Sequence, residues 1–473
     1  MLIRLTRSFA RSVKKTVLFT EAKEKADDKK PLVKPEPGKK AVQLQDRAWM
    51  GKRYIALVDL PDKLHKSAQK VFSGRPSKTI KEWGYKTAQI LTELHGLEKP
   101  QDITKLKPFA TTYELIGPRT PVKELKSYRH ERLPKIIDAK MVAGEMEIPK
   151  IVSEKAPAVS LKYQEEHAIG YTWRIMPGSY GTVYRCLSEA VTRLPNINPT
   201  KILDYGAGTG AGSFAAMTLY PNTKIVAAVE PSKNMRTIGK KLTEKLPQIQ
   251  WYETLANLPG IGDEEGLFDI VLCSYVLGEV ENAVTRNLIL DALWHRTNKL
   301  LLFIEPGTPK GFRLIYSIRE WVLNTMTREE ANIVAPCPHE GVCPQASDKH
   351  DWCHFSQFAS RWPKAVIGKS PKEMPTDNEK FSYILLHRGP LPRQYLNNEE
   401  EAETLQEKSF FWKRLVHPAI KRKGNVIVDV CEEGKKGRYI VSKSKYDKES
   451  YRFARKSHWG DLWPYKFTTK NIR

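Results

Sequence analysis

The sequence predicts an α/β protein with a doubly wound sheet, preceded by a helical region and followed by a small basic β domain. Buried strands alternate with helices between residues 201 and 305, which is the pattern of consecutive βαβ units. Before them, residues 45–96 carry apolar side chains mostly at spacings of three and four, the period of amphipathic helices. After them, residues 408–473 contain a predicted β-hairpin together with 18 Lys or Arg and 6 Asp or Glu, a net charge of +12.

Composition narrows the class of protein. The chain has 473 residues, enough for two or three domains, and its 78 Lys or Arg against 54 Asp or Glu give a net charge of +24. This balance argues against an ordinary small-molecule enzyme and favours a polyanion partner such as nucleic acid, with a lysine-rich soluble surface as the alternative. No run of 18 apolar residues is present, so we expect no membrane insertion. Six cysteines in a chain of this size do not indicate a secreted disulfide scaffold.

The first 20 residues predict mitochondrial import. They contain five basic residues and no acid, and their apolar residues fall on one stripe of a helix, which is typical of a mitochondrial transit peptide. We therefore expect the protein in the mitochondrial matrix. Residues 21–44 mix charged residues with proline and predict a disordered linker. Residues 45–164 predict a helical N-terminal domain in which no catalytic pattern is found.

The stretch KILDYGAGTGAGSFAAMTLYPNTKIVAAVE, residues 201–230, contains the predicted cofactor site. It reads as a strand, a glycine turn, a helix and a second strand. Glycines let the backbone bend sharply and approach a ligand closely, and the amides at the following helix N-terminus favour anionic or polar groups. An acid at the end of the second strand can accept hydrogen bonds from both ribose hydroxyls. The predicted cofactor-binding residues are Asp204, Gly206, Gly208, Gly210 and Glu230.

Two classes of cofactor use this layout, and a glycine turn without a ligand is a third interpretation. Gly206, Gly208 and Ala211 fit the loose G-x-G-x-x-G/A pattern of dinucleotide-binding proteins. Asp204 stands two residues before the first glycine, so the turn reads D-x-G-x-G-x-G, which resembles motif I of class I S-adenosylmethionine (SAM) methyltransferases. Glu230 argues against a turn without a ligand. We favour SAM, mainly because of the family likeness described below.

The predicted α/β domain spans residues 165–396. Its elements alternate in the order expected of a doubly wound sheet. Further strands are predicted at Ile225–Val229, Ile249–Thr254, Phe268–Tyr275, Leu300–Glu305 and Phe381–Arg388, and helices at Tyr180–Arg193, Ala211–Leu219, Ser232–Leu246 and residues 282–297.

No catalytic residue is identified in this domain. Cys273 has a nucleophilic side chain, but Leu272 stands where cytosine-C5 RNA methyltransferases place a proline, and the apolar strand around it favours burial. The segment Ser274–Glu279 is expected to face the cofactor, yet it lacks an N-P-P-Y-like motif. The sequence thus predicts a cofactor pocket and leaves its chemistry unknown.

A cysteine-rich insertion is predicted at residues 335–362. Cys337, Cys343 and Cys353 are spaced C-x5-C-x9-C, and flanking prolines stiffen the loop. Three thiolates this close indicate a soft metal site such as zinc, which needs a fourth ligand, and three free thiols are the alternative. The candidates for the fourth ligand are His339, His350, His354 and the distant Cys431.

Residues 397–473 are predicted to form a basic RNA-binding domain after an acidic boundary at Asn397–Glu407. Asn425–Val430 and Gly437–Ser442 predict a β-hairpin around GKKG. Aromatic residues of the tail alternate with cations, a mixture that suits phosphate contacts plus base stacking, with a solvated basic tail as the alternative. These aromatic residues are Tyr446, Tyr451, Phe453, Trp459, Trp463 and Tyr465.

Several segments together resemble the methyltransferase-like protein 17 family of mitochondrial small-ribosomal-subunit assembly factors. They are LDYGAGTG, LLFIEPGTPKGF, APCPHEGVCP, WCHFSQ, KRKGNVIVDVC and ARKSHWGDLWP, and the likeness covers about residues 165–473. The resemblance implies a class I methyltransferase fold with SAM at the glycine turn. It also implies a [4Fe–4S] cluster, with zinc as the alternative, on Cys337, Cys343, Cys353 and Cys431.

The resemblance further implies association with the rRNA of the mitochondrial small subunit, its ribosomal proteins and other assembly factors. The predicted function is an assembly factor that binds immature rRNA, uses the α/β domain as a scaffold and needs the cluster for stability and RNA binding. The alternative is an active SAM-dependent rRNA methyltransferase, which the absent catalytic motif disfavours. A dinucleotide-dependent oxidoreductase would leave the basic tail unexplained.

Overall fold

A computed structural model of the chain describes residues 40–95, 163–259, 266–280, 282–346, 348, 350–363, 366 and 376–468. The predicted transit peptide, residues 21–39 of the predicted linker and residues 96–162 of the predicted helical domain lie outside the described residues. Contacts divide the chain between Asp46 and Arg47, and the compact unit that begins at Arg47 contains every contact described below.

The described residues form thirteen strands and twelve helices, besides short 3-10 turns. The strands are β1 Lys201–Tyr205, β2 Ile225–Val229, β3 Ile249–Tyr252, β4 Phe268–Ser274, β5 Thr297–Pro306, β6 Ala331–Ala335, β7 Phe355–Ser360, β8 Thr376–Arg388, β9 Lys413–Arg414, β10 Ile420–Lys421, β11 Asn425–Glu432, β12 Lys435–Ser442 and β13 Leu462–Trp463. The helices are α1 Lys40–Gly51, α2 Asp62–Phe72, α3 Ser77–Leu94, α4 Glu165–Arg174, α5 Met176–Arg193, α6 Ala211–Leu219, α7 Lys233–Leu242, α8 Ala283–His295, α9 Pro309–Thr325, α10 Pro392–Tyr395, α11 Leu405–Lys408 and α12 Lys448–Lys456.

The main sheet has eight strands in the order β3-β2-β1-β4-β5-β8-β6, with β7 also paired to β8. Strands β1 to β5 are parallel, and β8 runs antiparallel to β5. Strand order reverses between β1 and β4, the place where doubly wound sheets bind ligands beyond the carboxyl ends of their strands. The predicted doubly wound α/β sheet is confirmed.

Both faces of this sheet are covered, which explains the continuous apolar runs of its central strands. Along β1, Ile202 points to one hydrophobic cluster and Leu203 to the other, and neither is exposed. Along β4, Ile270 and Val271 divide in the same way. Because these strands are parallel, their carboxyl ends lie at one edge of the sheet, beside the glycine turn.

Three sheet-associated elements were not predicted: helix α9 and strands β6 and β7. Helix α9 begins inside the motif PGTPKGF, where Thr308 accepts a hydrogen bond from the Gly311 amide at 3.1 Å and Pro309 takes the first helical turn. Strand β7 lies inside the predicted insertion at residues 335–362 and pairs with β8. Its alternate residues are buried, but surrounding cysteines, prolines and charged residues hide that period-two pattern in the sequence.

The helical character predicted for residues 45–96 is confirmed by α1, α2 and α3, although α1 begins at Lys40, within the predicted linker. This region is joined to the main sheet rather than set apart from it. The Val58 amide donates to the Phe358 carbonyl, and the Ser360 amide donates to the Val58 carbonyl, both at 2.9 Å. The predicted domain boundaries remain a prediction.

The C-terminal part contains a three-stranded antiparallel sheet, β10-β11-β12, and the small pair β13-β9. The predicted hairpin is confirmed, with its turn at Glu433 and Gly434 and with β12 starting at Lys435. Among the described helices, none is both long and apolar enough to cross a membrane.

Candidate functional site: a polar cavity and a cysteine pocket

The glycine turn follows β1 at the reversal of strand order. Gly206, Gly208 and Gly210 have φ values of +69°, +57° and +99°, a region that residues with a Cβ rarely adopt. A Cβ on Gly206 would also lie 2.3 Å from Cγ2 of Val276, so the backbone of the turn approaches the end of β4 closely. Position 206 therefore requires glycine for two reasons, its positive φ and the lack of room for a Cβ.

Asp204 holds the turn against helix α6. It is 2% exposed and accepts hydrogen bonds from the backbone amide and the hydroxyl of Ser213, each at 2.7 Å. Burial raises the pKa of Asp204 to about 6, and the two bonds from Ser213 offset part of that rise. Its carboxylate is thus engaged within the protein, and Asp204 is a positioning residue of the predicted set.

Glu230 lies on the other side of the turn. Its Oε2 accepts from the Gly208 amide at 2.9 Å and its Oε1 from the Ser232 amide at 2.8 Å. Burial raises the pKa of Glu230 to about 7, although these two amides lower it. A carboxylate held in this way is preorganised to accept hydrogen bonds from a ligand at the edge of the sheet.

A cavity of about 750 Å³ opens beside these residues. Of the five predicted cofactor-binding residues, Gly206, Gly208 and Glu230 line it, whereas Asp204 and Gly210 lie behind the turn. The predicted segment Ser274–Glu279 also reaches the cavity, through Ser274, Tyr275, Val276 and Glu279. The pocket therefore brings together the ends of β1, β2 and β4.

Sequence reasoning missed the opposite wall of the cavity. Tyr163 and Tyr171 pack edge to face at 6.3 Å between ring centroids, and the Tyr163 hydroxyl lies 3.3 Å from Oε1 of Glu279. Their signal was weak because Tyr163 precedes Glu279 by more than a hundred residues. Glu379 of β8 lines the cavity as well.

Cys273 is buried within β4, as predicted, and is 0% exposed. Burial raises the pKa of its thiol well above the usual value, and the neighbouring carboxylates of Glu305 and Asp204 raise it further. A nucleophilic cysteine needs a stabilised thiolate and access to its substrate. This residue has neither, so it is a packed core thiol.

A second, smaller cavity of about 30 Å³ is lined by the four cysteines that the family resemblance singles out. Three come from the loop between β6 and β7, and the fourth comes from β11. The four are Cys337, Cys343, Cys353 and Cys431. Among the described residues, no group of three or more His, Cys, Asp or Glu side chains has the arrangement of a metal-ion site.

The thiols influence one another although they come from distant parts of the chain. Burial raises the pKa of Cys343 to about 11, and the nearby Cys337 raises it further. Burial also raises the pKa of Cys353 well above its usual value, with further increases from Cys337, Cys343 and Cys431. Thiols with raised pKa values, such as those of Cys343, Cys353 and Cys431, remain protonated unless a cation stabilises their thiolates.

Three arginines surround this pocket and bind the backbone of the cysteine loop. Arg414 donates to the Pro336 carbonyl, Arg319 to the Gly341 carbonyl, and Arg393 to the Cys337 carbonyl at 3.1 Å. Arg319 is 4% exposed and Arg414 is 1% exposed. Buried cations beside four thiols create an environment that favours a negatively charged group.

The candidate histidine ligands divide. Nε2 of His339 lies 3.3 Å from Sγ of Cys431, and Nδ1 of His339 is buried without a hydrogen-bond partner. The ring of His354 stacks on Trp352 at 5.2 Å, and its Nδ1 lies 2.9 Å from the Trp352 carbonyl oxygen. His350 is exposed. Of the three, His339 is the one within reach of a cysteine sulfur.

The hairpin that carries Cys431 is also held by contacts that need no metal. His417 contacts Asp351 at 2.8 Å and Asp429 at 3.1 Å, and Lys436 contacts Asp351 at 2.8 Å. The Gly434 amide donates to the Val342 carbonyl at 2.8 Å. These contacts join the cysteine loop to β11 and β12.

The tail aromatics differ from the prediction. Tyr446, Phe453 and Trp463 are at most 7% exposed and form the core of the C-terminal sheet and helix α12. The interpretation that these three stack on bases is wrong, because their side chains are buried in this core. Tyr451 and Tyr465 pack against the same core.

The cations of the same region remain on the surface. The exposed ones are Lys421, Arg422, Lys423, Lys435, Arg438, Lys443, Lys445, Lys448, Arg452, Arg455, Lys456 and Lys466. Arg455 donates to the Arg422 carbonyl at 3.0 Å, which brings α12 beside the β10–β11 turn. Lys52, which directly follows α1, donates to the Lys456 carbonyl and is ion-paired with Asp461 at 2.8 Å, so it lies beside the end of α12.

The comparisons of this sequence with known proteins agree with one another. The model of the family described as mitochondrial small ribosomal subunit Rsm22 matches residues 165–464. Two mitochondrial Rsm22-cox11 tandem proteins of Schizosaccharomyces pombe are 31% identical over 330 residues, which are 63% of this chain and 43% of each relative. The human mitochondrial ribosome assembly protein METTL17 is 28% identical over 319 residues, 64% of both chains. The chain thus spans less than two thirds of the length of each of these relatives.

Among solved structures, the N-methyltransferase NodS of Bradyrhizobium japonicum, in complex with S-adenosylhomocysteine, is 15% identical. The match covers 44% of this chain and 86% of the NodS chain, with a TM-score of 0.26.

Proposed function

The chain belongs to the Rsm22 family, and from this we propose that it is an assembly factor of the mitochondrial small ribosomal subunit that binds immature rRNA. Its relatives are named mitochondrial, and the human one is named a ribosome assembly protein, which supports both the role and a mitochondrial location. We also propose that the protein is located in the mitochondrial matrix and that its partners include ribosomal proteins and other assembly factors. A charged surface on the C-terminal region is the observation that carries it.

RNA binding rests on phosphate contacts. The exposed cations of α12 and the β10–β11 turn lie side by side, and Lys52, which directly follows α1 and is ion-paired with Asp461, lies beside them. Trp49, two residues before Gly51 at the end of the same helix, is 56% exposed and could stack on a base there. Because the tail aromatics are engaged in the core, we assign affinity to cations and stacking to Trp49.

The test is the salt dependence of affinity for small-subunit rRNA fragments. Replacing Arg452, Arg455 and Lys456 with glutamine removes three exposed charges of α12. The slope of log K against log salt should then flatten by about 2 units, because each lost phosphate contact to single-stranded RNA removes about 0.7. Circular dichroism should be unchanged, since none of the three side chains is buried.

A matched control removes three exposed lysines from the N-terminal helices: Lys63, Lys66 and Lys78, each replaced with glutamine. This variant loses the same charge from a different part of the surface. The proposal expects its salt slope to equal that of the natural protein. Equal slopes for the natural protein and the α12 variant would place the RNA site elsewhere.

SAM is the proposed ligand of the 750 Å³ cavity. Gly206 allows close approach of the backbone, and Glu230 is oriented to accept the ribose hydroxyls. Asp204 fixes the turn from behind. The segment Ser274–Glu279 lacks an N-P-P-Y-like motif, so the proposal assigns SAM a binding role and keeps methyl transfer to rRNA as the alternative.

A thiolate-bound metal group is the proposed occupant of the cysteine pocket. The donor set fits: Cys337, Cys343, Cys353 and Cys431 supply four soft sulfur ligands, and the surrounding arginines favour the negative charge that four thiolates bring. Such a group supplies folding free energy by linking the loop to β11. A [4Fe–4S] cluster is favoured by family resemblance, and zinc is the alternative.

Metal analysis after anaerobic purification distinguishes the cluster from zinc. About four irons and four sulfides per chain would support the cluster, whereas one zinc and no iron would exclude it.

A further inference from the structure

A second carboxylate faces Glu230 across the 750 Å³ cavity. Glu279 ends the short 3-10 turn that follows β4, and its Oε1 lies 3.3 Å from the Tyr163 hydroxyl. Both carboxyl groups line the same cavity. The charge of Glu230 also raises the pKa of Glu279, after the larger effect of burial, so the two groups influence each other.

The fold imposes this position on Glu279. The Leu277 amide donates to Oε1 of Glu305 at 2.8 Å, and Lys310 donates to the Gly278 carbonyl at 3.2 Å. Tyr275 has a φ of +61°, a strained conformation for a residue with a bulky side chain. Backbone strain of this kind is concentrated at ligand sites, where surrounding contacts hold it.

Among the described residues, three carboxyl groups, those of Glu230, Glu279 and Glu379, and two cations line the cavity. Among the described residues that line it, the cations are Arg174, which is ion-paired with Asp377 at 2.7 Å, and Lys233, whose side chain is exposed. Burial lowers the pKa of His95 to about 4, so its ring is neutral. Burial raises the pKa of both Glu230 and Glu279 to about 7.

Two facing carboxylates without a cation of their own would be stabilised by a ligand that brings one. SAM carries a sulfonium, whereas S-adenosylhomocysteine, the product of methyl transfer, has a neutral thioether in the same place. The two molecules otherwise differ by one methyl group. Charge is therefore the property by which this cavity can separate them.

We propose that Glu279 makes the cavity selective for SAM over S-adenosylhomocysteine, so that occupancy of the protein reports the ratio of the two molecules. The inference rests on the proposed SAM site and deepens it. It gives SAM binding a regulatory meaning that needs no methyl transfer, because the ligand would be read and not consumed.

Calorimetry with both ligands tests this on the full chain and on Glu279→Gln. Glutamine keeps the shape and can still accept from Tyr163, but it removes the charge. The natural protein should bind SAM at least about tenfold more tightly than S-adenosylhomocysteine, since a unit charge pair within a cavity is worth more than 1.4 kcal/mol. In Glu279→Gln the ratio should fall toward one, with S-adenosylhomocysteine affinity unchanged, because one carboxylate is lost while Glu230 and Glu379 still line the cavity. Glu253→Gln, an exposed carboxylate outside the cavity, should keep the natural ratio.

Proton release gives a second readout. A cationic ligand lowers the pKa of the facing carboxyls, so SAM binding near pH 7 should release a proton that S-adenosylhomocysteine binding does not. Calorimetry in two buffers of different ionisation enthalpy measures this number. The titratable and charged groups around Glu279 are Tyr163, Tyr171, Glu230, Glu305, Lys310 and His95.

The possible failures are distinguishable. If the natural protein binds neither ligand, the proposed SAM site is wrong and the selectivity falls with it. If it binds both equally, or binds S-adenosylhomocysteine more tightly, the SAM site stands and the role of Glu279 is refuted. An unchanged ratio in Glu279→Gln would also refute that role.

Discussion

Glu189→Gln tests the buried charge cluster that joins helix α5 to the cysteine loop. Glu189 is 1% exposed and accepts from Nη1 of Arg193 at 3.1 Å, from Nη1 of Arg414 at 3.2 Å and from the Tyr383 hydroxyl at 2.9 Å. Glutamine keeps the volume and can still accept from Tyr383, so packing changes little. Removing one partner of a buried ion pair costs about 3–5 kcal/mol, because the remaining charge is left unpaired. Here three buried guanidinium groups lose their shared carboxylate, because Nη1 of Arg185 also lies 3.9 Å from Oε2 of Glu189.

The assay is urea unfolding of the full chain, followed by circular dichroism. We expect the free energy of unfolding to fall by about 3–5 kcal/mol, and metal content to fall as well, because Arg414 also binds the carbonyl that precedes Cys337. The control is Glu253→Gln, whose carboxylate is 61% exposed and pairs with Arg236 at 3.0 Å. It should change stability by less than about 0.5 kcal/mol. A loss below about 1 kcal/mol in Glu189→Gln would refute this account of the cluster.

Three further outcomes are expected. Gly206→Val would put a Cβ 2.3 Å from Val276 at a φ of +69°, so calorimetry should show no SAM binding. The control Gly74→Ala has open space around its Cβ and should bind SAM normally. Elemental analysis of Cys431→Ser should show loss of the metal. Hydrogen exchange should show that the β11–β12 hairpin is still held by its ion pairs, and rapid exchange throughout the hairpin would contradict this expectation. Burial raises the folded-state pKa of Glu379 to about 7, so its bound proton stabilises the fold below that pH, and stability without ligand should fall as pH rises from about 4.5 to about 7. Glu379→Gln should flatten this slope, and an unchanged slope would exclude that cause.

The parts of the fold that are local in sequence were predictable. The strand–turn–helix around Gly206 and the C-terminal hairpin follow from apolar runs and turn residues that lie within ten positions of one another. The burial of Cys273 followed in the same way from its apolar neighbours. Such signals depend on short segments, which is why they remain visible without a structure.

The opposite wall of the cavity was not predictable because it depends on tertiary contacts. Glu279 and Tyr163 meet only when the sheet has brought the end of β4 beside α4. The pairing of Glu189 with Arg414 likewise joins residues 225 positions apart. The tail aromatics misled for a different reason: Phe453 and Trp463 alternate with cations whether they stack on bases or build a small core, and burial decides between the two.

The central claim is that this protein binds the immature small ribosomal subunit of mitochondria. The most direct measurement is to purify the tagged full chain from mitochondria, sequence the RNA that accompanies it and identify the accompanying proteins by mass spectrometry. We predict enrichment of small-subunit rRNA over large-subunit rRNA, together with an incomplete set of small-subunit proteins. Equal recovery of both rRNAs, or recovery of fully assembled ribosomes alone, would contradict the proposed function.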